Sequence, residues 1–263
     1  MGSAARGRLV PLNRKIDFFG ARLPVTSILG GPVMASGVLR WIGALVGGHR
    51  RPGRDGGRGA DTGVLNATHG SLAASDTRIV LRREVSRDEF GYFAYDRHWR
   101  ILRSPRLSEP PPRRQVWSAG ADTSVTYLED PYLGLHYVVV QGKSAPQVSH
   151  AIRASVPCWT LEEALEFSAV STDRDTKIHG IHLVTASAPV KQTENVVEYL
   201  ETLSGDNDPQ VRRAVLVGMA YLGGWPAVHR IAESMRDHDP DEGVRIDAGY
   251  LLEGISIPPE SLT

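Results

Sequence analysis

The sequence predicts an α+β protein: a small domain containing an antiparallel β-sheet, followed by a short α-helical repeat stack and preceded by a disordered N-terminal extension. Three observations support this prediction. Residues 1–75 show no apolar period, residues 76–157 contain short β-rich runs, and residues 158–263 change to a helical period. We expect the segment boundaries at these positions.

The composition excludes several classes of protein. The 263 residues include 30 Lys+Arg, 30 Asp+Glu and a single cysteine, Cys158. A lone cysteine excludes an intrachain disulfide framework and a multi-cysteine zinc site, so we expect a reducing, cytoplasmic setting. Residues 1–60 carry 10 basic and 2 acidic side chains, which leaves 20 basic against 28 acidic groups, or −8, in the rest. An acidic body favours a basic protein partner and makes nucleic acid an unlikely one.

The N-terminal extension contains one apolar stretch, residues 23–48. The surrounding Gly, Ala, Arg and Ser cannot offset the entropy of ordering the chain, so residues 1–75 are predicted to be disordered. Three interpretations of the stretch stay open: a membrane span, weakened by Arg40 and Pro32; a signal peptide without a clear cleavage site; and an amphipathic or misassigned leader, since Met34 can itself be a start. Membrane association through residues 23–48 is the alternative localisation.

The β-rich segment begins near Thr77. The run Thr77–Val85 predicts a strand, and the aromatic run Phe90–Leu102 predicts one or two more. Four prolines make Pro105–Arg114 a loop. The aromatics from Phe90 onward partly match the strand on which RNA-recognition domains stack bases, but the acids Asp88 and Glu89 precede them and repel phosphate.

A hairpin and a helix complete this segment. Ser124–Leu128 and Leu135–Val140 are β-rich and are separated by a plausible hairpin loop. Gly142 ends the second strand, and Pro146–Ala154 has helical spacing. From Thr160, a good N-cap residue, the remaining hundred residues are predicted to be helical.

A phrase in the helical segment nearly recurs. Asp206–Ala214 (DNDPQVRRA) is answered by Asp237-His238-Asp239-Pro240, then Val244-Arg245 and Ala248. Arg212 and Arg245 are 33 residues apart, and Lys177 lies 35 before Arg212. Asp before Pro caps a helix, Val begins the buried stripe, and Arg can reach an acid in the neighbouring repeat. We therefore expect a ladder of charge pairs along stacked helix pairs.

This phrase, with the run Val217–Gly223 after it, resembles HEAT repeats, including the short bacterial kind. The resemblance covers about residues 160–255. It implies helix pairs whose stacked surface binds other macromolecules, and it implies no reaction. The first copy lacks the Asp-Pro pair, and in the last copy two extra residues, Glu242 and Gly243, separate the Asp-Pro pair from Val244-Arg245.

The sequence therefore favours a non-enzymatic interaction, scaffold or partner-neutralising protein. The residues expected to order or rim its binding surface are Asp206, Asp208, Arg212, Asp237, Asp239 and Arg245. Simple helix capping on a solvated edge is the alternative interpretation of the acids. No catalytic residue, cofactor or metal ligand is predicted.

The alternative function is an enzyme or lyase-type modifying factor. Cys158 stands just before a helix N-terminus, a position that lowers the pKa of a thiol. Such a nucleophile also requires a histidine nearby in space, which no local motif identifies.

Overall fold

The computed structural model describes residues 77–106, 113–222 and 224–256 and shows an α+β fold. In chain order the elements are β1 (Thr77–Val80), α1 (Arg87–Asp96), β2 (Arg100–Arg103), β3 (Arg113–Ser118), β4 (Thr123–Asp130), β5 (Leu135–Gly142), α2 (Ala145–Ser155), α3 (Leu161–Ala169), α4 (Arg174–Ser187), α5 (Glu194–Ser204), α6 (Pro209–Met219), α7 (Pro226–His238) and α8 (Glu242–Ser256). The extension 1–75 and its apolar stretch lie outside the described residues. Within the described ranges, no helix has the length and apolar character needed to cross a membrane.

The five strands form one antiparallel sheet in the order β1-β5-β4-β3-β2. The predicted hairpin is confirmed: β4 and β5 pair from Thr123–Gly142 to Asp130–Leu135. Gly134 adopts φ +64° in the connecting loop, a conformation that glycine takes without strain. Strand β3 was not predicted, because it starts with polar residues directly after the proline-rich loop and buries only Trp117.

The prediction of a strand at Phe90 is wrong, since these residues form helix α1. Ser86 and Glu89 make a capping box: the Glu89 N–H donates to Ser86 Oγ at 3.2 Å, and the Ser86 N–H donates to Glu89 Oε2 at 2.6 Å. Phe90 and Ala94, four residues apart, form the buried face. The partial match to a base-stacking strand is therefore wrong, because most of these aromatic residues lie on a helix. Only the end of the run, β2, is a strand.

The sheet lies between two groups of helices. Val138 and Val140 of β5 join a core cluster with α1 and α2, whereas Leu135 and Tyr137 join the core of the later helices. This alternation places successive side chains on opposite faces, as strand geometry requires. The predicted helix at Pro146–Ala154 is confirmed as α2.

The chain leaves the sheet along its own first strand. Leu81 forms a bridge with Cys158, and the Trp159 N–H donates to the Val80 carbonyl at 2.9 Å. This pairing covers the exposed edge of β1. Thr160 then caps α3 through a capping box with Glu163, so the predicted start of the helical segment is confirmed.

The helices from α3 onward stack in pairs. Neighbours α3 and α4, α5 and α6, and α7 and α8 contact each other, and α4, α6 and α8 follow one another in one layer. Helices α4 and α6 approach closely where Gly218 faces the buried Thr185. The small residue at this crossing sets the separation of the two helices.

We expect Gly218→Ala to destabilise the protein by about 1–3 kcal/mol, because its methyl group would lie 2.8 Å from Thr185 Cγ2 in a packed core. Urea unfolding measures the effect. The matched control is Gly91→Ala on α1, where an added Cβ meets nothing within 4 Å and helix propensity favours alanine. A Gly218 variant as stable as the Gly91 variant would contradict the close crossing.

One buried carboxylate joins the sheet to the stack. Asp130, 2% exposed, accepts hydrogen bonds at Oδ1 from the backbone N–H groups of Tyr132 and Leu133 at 3.0 and 3.1 Å. Its Oδ2 accepts from the Tyr137 hydroxyl of β5 at 3.3 Å and from the Tyr221 hydroxyl, just after α6, at 2.8 Å. A fully hydrogen-bonded carboxylate is tolerated in the interior, so this group links three elements.

The buried His182 of α4 also contacts the loop between β4 and β5. Its Nδ1 lies 3.2 Å from the Leu133 carbonyl oxygen, and this contact requires a ring that carries a proton on Nδ1. Burial lowers the pKa of His182 to about 4, although the bond to Leu133 opposes the shift. The histidine is therefore uncharged at neutral pH.

The depressed pKa of His182 predicts acid sensitivity. The unfolded chain takes up a proton near pH 6.5 while the folded chain resists it until about pH 4, so stability falls as the pH drops through this window, by about 3 kcal/mol in total. In His182→Asn the amide can donate in place of Nδ1 without titrating, and the loss between pH 6.5 and 4 should shrink. Urea midpoints across this range test the effect, with exposed His238→Asn as the control; equal slopes for all three proteins would refute it.

Candidate interaction site on the helical stack

The turn before α6 is built around two aspartates. Asp206 Oδ1 accepts from the Asp208 N–H at 2.8 Å, and Asp208 Oδ1 accepts from the Gln210 N–H at 2.9 Å, which caps α6. Arg212 Nη1 donates back to the Asp206 carbonyl at 2.8 Å. The two carboxylates and the arginine thus hold the turn in one conformation through hydrogen bonds within residues 206–212.

The turn before α8 repeats this arrangement 33 residues later. Asp239 Oδ1 accepts from the Asp241 N–H at 2.8 Å, and Asp241 Oδ1 accepts from the Val244 N–H at 2.9 Å. Arg245 Nη1 donates to the Asp239 carbonyl at 2.7 Å. Asp239, Asp241 and Arg245 therefore take the places of Asp206, Asp208 and Arg212.

The predicted alignment of Asp237 with Asp206 is therefore wrong, and the last copy contains no insertion. The Asp-Pro pair misled the comparison, because Pro240 occupies the place of Asn207. Hydrogen bonding sets the register, since the carboxylate that accepts from the residue two positions on is Asp239. Gly243 is therefore not an extra residue but takes the place of Gln210 in the previous copy. A side chain at this position would collide with the Arg213 guanidinium.

The predicted charge ladder is present. Lys177 of α4 donates to Asp206 Oδ2 at 2.7 Å, one repeat ahead. Arg212 of α6 donates through Nε and Nη2 to the two carboxylate oxygens of Asp239, both at 2.8 Å. The Arg212 and Asp239 side chains are only 6% and 3% exposed. This bidentate geometry is the strongest form of the ion pair.

The pairing keeps these carboxylates ionised. Burial by itself raises the pKa of Asp239, but the hydrogen bonds from Arg212 and from the Asp241 N–H outweigh it and hold the pKa below its ordinary value. In Asp206 burial also raises the pKa, but the bonds from Lys177 and the Asp208 N–H and the charges of Lys177 and Arg212 together outweigh it and lower the pKa. Their negative charges are therefore paired with cations inside the stack.

The six predicted residues thus fall into two groups. Asp206, Asp208, Arg212 and Asp239 contact each other or neighbouring helices and order the stack. Asp237 is exposed and pairs with Arg236 at 2.7 Å. Within the described ranges Arg245, near the start of α8, bonds only to the backbone of its own turn. The three turns (173–177, 206–212 and 236–245) still hold eight acidic against five basic side chains, a net charge of −3.

The last rung of the ladder differs from the one before it. Arg245 donates to the backbone of its own turn, yet no carboxylate of the described residues pairs with it as Asp239 pairs with Arg212. On the outer side of α8, Ile246 and Tyr250 are 41% and 37% exposed. We call Glu242, Ile246, Tyr250 and Glu253, with Arg245 at their border, the terminal face.

Sequence reasoning missed the terminal face, although a signal existed. Positions 242, 246, 250 and 253 share one side of a helix, with acids at the ends and apolar residues between them. The repeated phrase follows the opposite, buried side of the same helix, which contains Val244, Ala248 and Leu251.

Cys158 does not have the environment of an activated nucleophile. Its thiol is half-buried and donates to the Val156 carbonyl at 3.0 Å. Burial raises the pKa of the thiol, and the nearby Arg153 and Arg82 only partly oppose the shift. Across the described ranges, no group of three His, Cys, Asp or Glu side chains is placed to hold a metal ion.

Comparisons with protein-family models, with curated proteins and with solved structures find no match to this chain.

We expect Arg212→Met to lower the free energy of unfolding by about 3 kcal/mol, because it leaves the Asp239 carboxylate buried without its charged partner. Chemical denaturation measures this change. Arg236→Met, which breaks the exposed pair with Asp237, is the matched control and should have little effect. Similar losses in both variants would show that the Arg212 pair does not order the stack.

Proposed function

We propose that this chain is a non-enzymatic interaction protein that acts as a scaffold or neutralises its partner, and that it holds a protein partner on the terminal face. The observation that carries the proposal is the exposure of Ile246 and Tyr250 on the last helix of the stack. The resemblance of residues 160–255 to HEAT repeats supports the same class of function.

The terminal face differs from an ordinary solvated helix surface. Large apolar side chains grouped on an exposed surface are typical of interaction sites. Here two apolar side chains occupy the centre, and exposed Glu242 and Glu253 flank them. An apolar centre inside a charged rim is the usual anatomy of a protein interface, and tyrosine is enriched among its strongest contributors.

The charge of the face and of its neighbouring turns indicates the chemistry of the partner. Glu242 and Glu253 lie at the two ends of the apolar pair, and residues 236–241, just before α8, add three acidic side chains against one basic one. Clustered negative charge steers basic partners and fixes their orientation. We therefore expect a partner that presents apolar side chains between Lys or Arg residues.

Capture experiments with the full chain as bait test this proposal. Wild type is compared with Ile246→Asp/Tyr250→Asp, which places charge in the apolar centre and should abolish capture of the partner. Glu242→Lys/Glu253→Lys should weaken capture at least about tenfold, since it turns attraction into repulsion. Quantitative mass spectrometry of the retained proteins provides the measurement.

The matched control is Tyr92→Asp/Tyr95→Asp, which changes two aromatic residues of α1 that are 72% and 77% exposed, on the opposite side of the sheet. The proposal requires a protein that wild type and this control retain and both α8 variants lose. An identical set of proteins retained by all four baits would overturn it.

A further inference from the structure

A cavity of about 380 Å³ lies where the sheet meets the stack. Residues 188–192, between α4 and α5, form one wall, and another consists of residues 221, 222, 224 and 225 with Pro226 at the start of α7. Arg78 of β1 also lines it. A volume of this size is typical of sites for small molecules.

Arg78 is a buried cation without an acidic partner among the described residues. It is 8% exposed, and its Nη1 and Nη2 atoms make only long hydrogen bonds, 3.4 and 3.3 Å, to the Tyr221 carbonyl. Its Nε is buried without a hydrogen-bond acceptor. A guanidinium has five N–H donors, so most of its capacity is unused.

The Asp130 carboxylate, which binds the same two tyrosines that flank Arg78, has no free acceptor for the guanidinium. Asp130 already accepts four hydrogen bonds, from Tyr132, Leu133, Tyr137 and Tyr221. The Tyr137 and Tyr221 rings lie 5.7 and 5.4 Å from the Arg78 guanidinium carbon and offset part of the cost of its burial. An oxyanion in the cavity can accept from the Arg78 Nη1 and Nη2 groups, whose hydrogen bonds to the Tyr221 carbonyl are long.

The remaining lining matches an anion with an apolar body. Lys191, which is exposed, adds a second positive charge, and among the described residues no Asp or Glu lines the cavity. Val190, which is 38% exposed, and the exposed Pro226 supply apolar surface beside the buried Trp225. The indole is held in place, because its Nε1–H donates to the Val190 carbonyl at 2.8 Å.

We propose that this cavity binds a small organic anion, with its carboxylate or phosphate head on Arg78 and its apolar body against Val190 and Pro226, next to the Trp225 indole. The binding is separate from the terminal face, since the cavity lies at the junction with the sheet and not on α8.

NMR titration of the full chain tests the proposal. The probes are benzoate, phenyl phosphate, neutral benzamide and inorganic phosphate, and the reporter is the Trp225 indole N–H signal, assigned with Trp225→Phe. We expect benzoate or phenyl phosphate to shift this signal saturably, and their comparison identifies the preferred head group. Benzamide, which lacks the charge, should bind at least about tenfold more weakly.

Two variants and a control separate binding from folding. Arg78→Met should weaken binding of the organic anion by about tenfold or more. Gly224→Phe places a ring at the cavity wall, where an added Cβ meets nothing within 4 Å, and should block binding without changing the charge. Gly91→Phe, at an equally open position on α1, should bind like wild type.

The proposal fails if neither organic anion shifts the Trp225 signal, if benzamide or inorganic phosphate binds as tightly as the better organic anion, or if Gly224→Phe binds it like wild type. Unchanged binding by a folded Arg78→Met would also overturn it. If Arg78→Met does not fold, Gly224→Phe decides the outcome.

Discussion

Asp130 accepts hydrogen bonds from the hairpin backbone, from Tyr137 in the sheet and from Tyr221 after α6, all at one buried carboxylate. A buried carboxylate is costly unless donors surround it, so the two halves of the chain must meet in one arrangement to satisfy it. Since Tyr221 also accepts the Arg78 hydrogen bonds through its carbonyl, the same arrangement places Arg78 beside the cavity. The sheet, the stack and the proposed anion site thus depend on one group.

The order within the stack comes from a second kind of charged contact. Each cation at the start of an inner helix reaches an acid in the following turn: Lys177 pairs with Asp206, and Arg212 with Asp239. Each ion pair joins a cation to an acid of the turn that follows it, so the last cation in the series has no following turn to pair with in the part of the chain that the structure describes. At the last position Arg245 has no such acid within the described residues, and Ile246 and Tyr250 are exposed beside it.

Local signals in the sequence predicted local structure well. The Thr160 cap, the β4–β5 hairpin and the reach of Arg212 to the next repeat depend on residues close together or on a short period, and each is present. Helix α1 was mistaken for a strand because its aromatics resemble a β-rich run, whereas the capping box at Ser86 decides the outcome. The repeat register was misjudged because the Asp-Pro pair is conspicuous and carboxylate hydrogen bonding is not visible in a sequence.

The junction and the cavity could not be predicted in this way. Arg78 and Tyr221 are 143 residues apart, and Asp130 and Tyr221 are 91 apart. No period or motif connects such positions, because tertiary packing alone brings them together. The terminal face lies between these cases: its spacing is visible in the sequence, but its exposure follows from which side of α8 the stack covers.

A double-mutant cycle tests the central claim that Asp130 joins sheet and stack. Unfolding free energies of Asp130→Ala, Tyr221→Phe and the double variant are compared with wild type. The hydrogen bond between the buried carboxylate and the Tyr221 hydroxyl predicts a coupling energy of about 1–2 kcal/mol, because removing either partner already removes the contact. Additive losses, to within about 0.3 kcal/mol, would contradict the claim.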